Sequence, residues 1–143
     1  MKTSFKILFP FVIYVISSFT AYAQTGRFYT TDGGLSSSLI NHFFQDSKGF
    51  MWTATEYGLN SFDGLRFANY WHVSGDSTSI KNNYVRTLFE DSRQNLLIGC
   101  IDGLMRYDRE TNTFSEIPMI RAGKQVFPHV TQMQELHNGE IWM

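Results

Sequence analysis

Four aspartates at a fixed spacing are the residues of this chain best equipped for chemistry. Asp46 and Asp91 stand 45 residues apart, and so do Asp63 and Asp108. Paired carboxylates can exchange protons or hold calcium, and glycoside hydrolysis needs two of them facing each other across one substrate. Here each aspartate recurs beside a turn, as in Asp46-Ser47-Lys48-Gly49 and Asp91-Ser92-Arg93-Gln94. A short acidic side chain in such a place bonds nearby backbone N–H groups. Capping is therefore the expected role of all four. Trp52 and Trp142 could stack on sugar rings, but they too recur, 90 residues apart, and are expected to pack. Trp71, in Tyr70-Trp71-His72, falls outside the recurring positions and is a better candidate for ligand contact. Glu56-Tyr57 and Ile101-Asp102 fill one variable loop in successive copies. Loops on a rigid scaffold carry function, so Glu56, Tyr57, Trp71 and Asp102 are the expected ligand-facing residues.

Other chemistries lack their residues. His42, His72, His129 and His137 have no H-x-x-x-H spacing, so no metal site is expected. There is no P-loop or dinucleotide-binding glycine motif, and no cofactor is expected. Cys100 is the sole cysteine, which rules out an intrachain disulfide; it aligns with Thr55 and is read as a small buried residue. The chain has 12 basic and 13 acidic residues. That balance offers no basic stripe, so nucleic acid is not an expected partner.

The elements that must position these residues are set by the repeat. Asp46 to Asp63 returns without a gap as Asp91 to Asp108, and a third copy starts with Gly139 and Trp142 at the places of Gly49 and Trp52. Each copy opens on apolar residues three apart (Ile40 and Phe43, Val85 and Leu88, Val130 and Met133). The acidic turn and a short apolar run follow, with Gly49 or Asn95 read as the residue tolerating positive φ. Gly58-Leu59 or Gly103-Leu104 then begins a third strand, and Phe67 to Tyr70 or Phe114 to Ile117 marks a fourth. No apolar spacing sustains a helix. Four short strands in 45 residues describe a propeller blade. The expected fold is all-β: a partial β-propeller with two four-stranded blades and the start of a third. Blade 1 is placed at 39–83, blade 2 at 84–128 and the third start at 129–143, after a lead-in segment at 24–38. Strands are expected near 39–45, 50–55, 59–62, 66–71, 84–90, 96–100, 104–107 and 113–117.

Residues 1–23 read as a cleaved signal peptide: Lys2 and Lys6, an apolar stretch from Ile7 to Phe19, then Ala21-Tyr22-Ala23 before Gln24. A propeller hides its strand edges by closing a ring of typically 4–8 blades. The chain is accordingly expected to be the N-terminal portion of a longer protein.

The motif D-x-x-G-x-x-W followed by G-L-x-x-[FY]-D resembles the two-component regulator propeller repeat. The first copy carries it in Asp46, Gly49, Trp52, Gly58, Leu59, Phe62 and Asp63. The second keeps Asp91, Gly103, Leu104, Tyr107 and Asp108, with Gln94 and Leu97 in place of glycine and tryptophan; the third shows Gly139 and Trp142. The resemblance implies the periplasmic sensor region of a hybrid two-component system histidine kinase of Bacteroidetes, anchored in the inner membrane by a segment beyond this chain. Its implied partners are the remaining blades, downstream sensor domains, an oligosaccharide ligand and a second copy of the parent. No catalysis is expected in this segment. A secreted propeller enzyme, a lyase or a carbohydrate-active enzyme, is the alternative.

Overall fold

The computed structural model describes residues 26–143, so the expected signal peptide lies outside the described residues. Two four-stranded antiparallel sheets dominate. The first contains β1 (Ile40–Gln45), β2 (Met51–Thr55), β3 (Gly58–Phe62) and β4 (Phe67–Tyr70). The second contains β5 (Val85–Glu90), β6 (Leu96–Cys100), β7 (Gly103–Asp108) and β8 (Thr113–Ile117). Strands adjacent in sequence are adjacent in space. All eight fall within a residue or two of the positions read from the repeat. The fold is all-β, and among the described residues the helical content is one 3-10 turn, Thr31–Gly33.

Both sheets are built alike down to their irregularities. The register of β1 on β2 shifts between Ile40 and His42, and that of β5 on β6 between Val85 and Thr87, at the same repeat position. One hairpin was not expected: β9 (Met119–Arg121) pairs with β10 (Lys124–Val126). Its turn is Ala122-Gly123, both at positive φ. A two-residue hairpin turn of type I′ requires positive φ at both positions, but alanine seldom signals it. The third copy contributes β11 (Gln134–Glu135) and β12 (Ile141–Trp142), which form a short hairpin.

The main core gathers side chains of both sheets: Trp52, Ala54 and Leu59 from the first, with Leu88, Ile98, Met105 and Phe114 from the second. Strand alternation then sends Leu97 and Leu104 to the opposite face of the second sheet. There they meet Val130 and Met133 of the third copy. Polar contacts link the copies as well. The N–H and Oγ of Ser47 donate to the Glu90 carboxylate at 2.6 and 2.9 Å. Ser92 repeats both bonds to Glu135 at 2.7 Å. Each first turn is thus clipped to the end of the next copy's first strand.

Candidate functional site

Antiparallel order puts the turns at two opposite ends. The β1–β2 and β3–β4 turns share one end; the β2–β3 turn and the long connector from β4 to β5 share the other. Glu56 and Tyr57 form the β2–β3 turn, Asp102 lies in the matching β6–β7 turn, and Trp71 is the first residue after β4. All four ligand candidates therefore belong to the connector end.

Local chemistry fixes each of them. Thr55 Oγ1 accepts the Tyr57 N–H at 3.1 Å and donates to the Gly58 carbonyl at 2.8 Å, closing the turn. Gly58 has φ +125°, and a Cβ there would meet the Tyr70 carbonyl at 2.7 Å and Trp71 Cδ1 at 3.1 Å. Glycine is what allows the indole of Trp71 to lie against this turn. The connector segment 82–84 ties the candidates together. Asn83 accepts the Gly58 N–H on its carbonyl and the His72 N–H on Oδ1, both at 2.7 Å. Asn82 Nδ2 donates to Asp102 Oδ2 at 3.3 Å, and the Tyr84 hydroxyl donates to Glu56 Oε1 at 3.1 Å. That bond to Glu56, with some desolvation, raises the pKa of Tyr84. Tyr57 is 63% exposed and Trp71 49%, so each presents an aromatic face to solvent. Asp102 Oδ1 is buried with no hydrogen-bond partner.

The recurring aspartates sit at the opposite, turn end of the sheets. Asp46 Oδ1 accepts the N–H groups of Lys48 and Phe50, both at 2.9 Å. Its Oδ2 accepts Trp52 Nε1 at 2.7 Å and an Arg109 guanidinium N–H at 2.8 Å. Burial works against this carboxylate, but the bonds from Trp52, Arg109 and Phe50 outweigh it and hold its pKa below the ordinary value. Arg109 also donates to Glu90 at 3.0 Å, bridging two copies. Asp91 caps Arg93 and Asn95 in the same way. Asp63 caps Leu65 and Arg66, and Asp108 caps Glu110 and Thr111; these backbone bonds lower the pKa of both carboxyls. No two of these four carboxylates share a hydrogen-bond donor.

Two details differ from the sequence reading. The positive φ of the second acidic turn belongs to Gln94, at +65°, and not to Asn95. Gln94 aligns with Gly49 (φ +89°) and Gly139 (φ +81°), so the turn geometry persists where its glycine does not. Trp52 is 1% exposed, stacked on Tyr70 at 5.8 Å and edge-on to Tyr107 at 4.9 Å, whereas Trp142 is 65% exposed. No sheet covers Trp142 among the described residues. Cys100 is buried, which pushes its thiol up to about 12, with Asp102 adding to the effect. Among the described residues no group of three His, Cys, Asp or Glu is placed to hold a metal, and no helix is long and apolar enough to cross a membrane.

A cleft of about 450 Å³ is lined in part by Asn41 and His42 of β1, Arg86 and Thr87 of β5, and Thr131 and Gln132 just before β11. It contains none of the four ligand candidates. Its signal was available in the repeat: Asn41, Arg86 and Thr131 align, as do His42, Thr87 and Gln132, polar in every copy.

Two adjacent four-stranded sheets with a shared face and an exact sequence period define a propeller-type repeat protein. Residues 34–57 match the two component regulator propeller family. The chain is 35% identical over 77 residues to histidine kinase P4 of Formosa agariphila, covering 51% of this chain and 6% of that protein. In structure it resembles the extracellular domain of the hybrid two component system BT3049 from B. thetaiotaomicron, with a TM-score of 0.70 and 30% identity over 81% of this chain and 17% of that one. The extracellular domain of BT4673 from the same organism superposes with a TM-score of 0.66 and 26% identity, covering 84% of this chain and 17% of that one. Residues 34–57 thus match the propeller repeat, and the chain has the architecture of a portion of these extracellular domains.

Proposed function

We propose that this chain is part of the ligand-sensing region of an exported two-component regulator, and that its connector end meets a carbohydrate fragment. The observation that carries this reading is the grouping of exposed Tyr57 and Trp71 with Glu56 and Asp102 around one connector segment. Aromatic faces suit the apolar side of a sugar ring, and carboxylates accept its hydroxyls. The lone Asp102 Oδ1 is an acceptor without a donor; such groups call for a specific explanation, and a ligand hydroxyl would supply one. The segment has no catalytic part in this reading; signal output belongs to the kinase of the longer parent, which a periplasmic location would place across the inner membrane. The blades at 39–83 and 84–128 act as scaffold, through the buried repeat residues Trp52, Leu59 and Leu104.

The test is calorimetric titration of the exported protein with a panel of neutral and acidic oligosaccharides. Binding that Tyr57→Ala and Trp71→Ala weaken at least tenfold, without a change in melting temperature, supports the proposal. Binding indifferent to both substitutions refutes this placement of the ligand.

A further inference from the structure

The first strand of each sheet carries a bulge at the same repeat position. In β1, Ile40 pairs with Thr55 and His42 with Ala54, which leaves Asn41 outside the ladder. In β5, Val85 pairs with Cys100 and Thr87 with Gly99, which leaves Arg86 outside it. A bulge releases one residue from strand pairing and re-aims its side chain. Both released residues line the cleft of about 450 Å³. That volume lies within the range of about 300–1,000 Å³ usual for small-molecule sites.

The two side chains are held differently. Asn41 Nδ2 donates to the Val85 carbonyl at 2.7 Å and so ties the first copy to the second. Arg86 is half-buried and lies over the Tyr84 ring, with Cζ 5.7 Å from its centroid. Such a contact orients a guanidinium without using its N–H donors. No side-chain carboxylate of this sequence takes them up. All 13 Asp and Glu belong to the described residues, since residues 1–25 contain none, and the ion pairs formed there involve Lys81 and Arg109. Partial burial of a cation without a counter-ion is unfavourable. The cleft adds further donors. His42 Nδ1 accepts the Leu88 N–H at 3.1 Å, so the neutral ring carries its hydrogen on Nε2 and can donate from there. Gln132 brings an amide, and no aspartate or glutamate lines the cleft among the described residues.

We propose that this cleft is an anion-binding site, in which Arg86 receives the oxyanion group of a small ligand and His42 and Gln132 are neutral donors beside it. Carboxylate, sulfate and phosphate share the required chemistry, because each offers two oxygens to the guanidinium fork. None of Glu56, Tyr57, Trp71 and Asp102 lines the cleft, so the site is distinct from the connector-end grouping. Tyr84 stands between the two, with its ring beneath Arg86 and its hydroxyl on Glu56. The site does not depend on carbohydrate binding at the connector end, and its failure leaves the sensing proposal standing.

Thermal melts of the protein as its host produces it provide the test, in sodium glucuronate, sulfate or phosphate at one ionic strength set with sodium chloride. The expected result is a saturable rise in melting temperature with at least one of the three. Arg86→Gln should weaken that anion about tenfold or more, the scale of a lost charge-assisted bond, while Tyr57→Ala leaves it unchanged. A response to glucuronate alone assigns a carboxylate, and a response to sulfate or phosphate assigns a tetrahedral oxyanion. Arg86→Lys, which keeps the charge without the fork, should fall between the parent and Arg86→Gln. A rise of equal size in Arg86→Gln is a general salt effect and overturns the proposal. The absence of a rise with all three anions overturns it as well; if Arg86→Gln then also melts lower, the guanidinium holds a carboxylate from outside this chain.

Discussion

The first acidic turn and the second adopt one backbone and hold it with different side chains. In both, an aspartate Oδ1 gathers the N–H groups two and four residues on, at 2.8 to 3.0 Å. In the first, Oδ2 takes the Trp52 indole and Arg109. In the second, position 97 is leucine, with no N–H to offer, and Asn95 Nδ2 donates to Asp91 Oδ2 at 2.7 Å instead. The second oxygen of the carboxylate is satisfied either way. What the repeat preserves is a set of filled acceptors, not the residues that fill them. The two turns also differ in burial, since Asp46 is 4% exposed while Asp91 is half-buried. The first turn should therefore be the more costly one to disturb.

Trp52→Ala should have the largest effect. The indole is buried against both sheets, and removing a large aromatic from a packed core costs about 3–5 kcal/mol. It also strips Asp46 of a donor. Leu97→Ala, at the equivalent position, removes fewer atoms and leaves the Asp91 cage closed; a loss of about 2–3 kcal/mol is expected at the low end of core truncations. Denaturant melts of the two variants measure the gap. Equal losses would mean that the Trp52–Asp46 bond adds nothing beyond volume.

Asp46→Ala comes next, at about 2–4 kcal/mol, because it leaves the indole N–H, two backbone N–H groups and Arg109 without their acceptor. Asp91→Ala should cost about 1 kcal/mol, as its partners reach solvent more readily. The same contrast predicts a pH dependence. The folded pKa of Asp46 is lowered, so its contribution is fully present above the ordinary carboxylate pKa and is lost as pH falls through the folded value. Asp46→Asn should thus differ most from the parent near neutrality and converge with it in acid. A difference that stays constant down to pH 2 would show that the carboxylate charge plays no part.

Much of this was legible in the sequence, and for a physical reason. A strict period makes each copy a control for the other, so the eight strands could be placed from Asp46 and Asp91, Gly58 and Gly103 alone. The turn role of the aspartates follows from recurrence in the same way. Features outside the period were invisible. Arg109 aligns with Gly64, which has no side chain, so nothing in the period linked it to Asp46, 63 residues earlier. The Ala122-Gly123 hairpin has no earlier copy. The exposure of Trp142, against the burial of Trp52, depends on what packs beyond the motif and not on the motif itself. For the ligand candidates, the sequence could place Glu56, Tyr57 and Asp102 in equivalent loops. It could not show that connector residues 82–84 bond to two of these loops and to His72, beside Trp71.

The smallest effect should come from the residue at the tip of each acidic turn. Gly49 and Gln94 both hold positive φ, at +89° and +65°. A Cβ added at Gly49 would meet nothing within 4 Å, so Gly49→Ala tests backbone conformation without a packing term. An L-residue pays about 1–2 kcal/mol in the left-handed region, and alanine recovers part of that by restricting the unfolded chain. A net loss of about 1 kcal/mol is expected. Gln94→Gly runs the exchange in reverse: the strain at +65° is relieved while the unfolded chain gains freedom, leaving a gain of about 0.5 kcal/mol. Opposite signs in paired denaturant melts would establish that the two turns share one backbone requirement. Loss of stability in Gln94→Gly would mean instead that the glutamine side chain contributes contacts that the glycine turn does without.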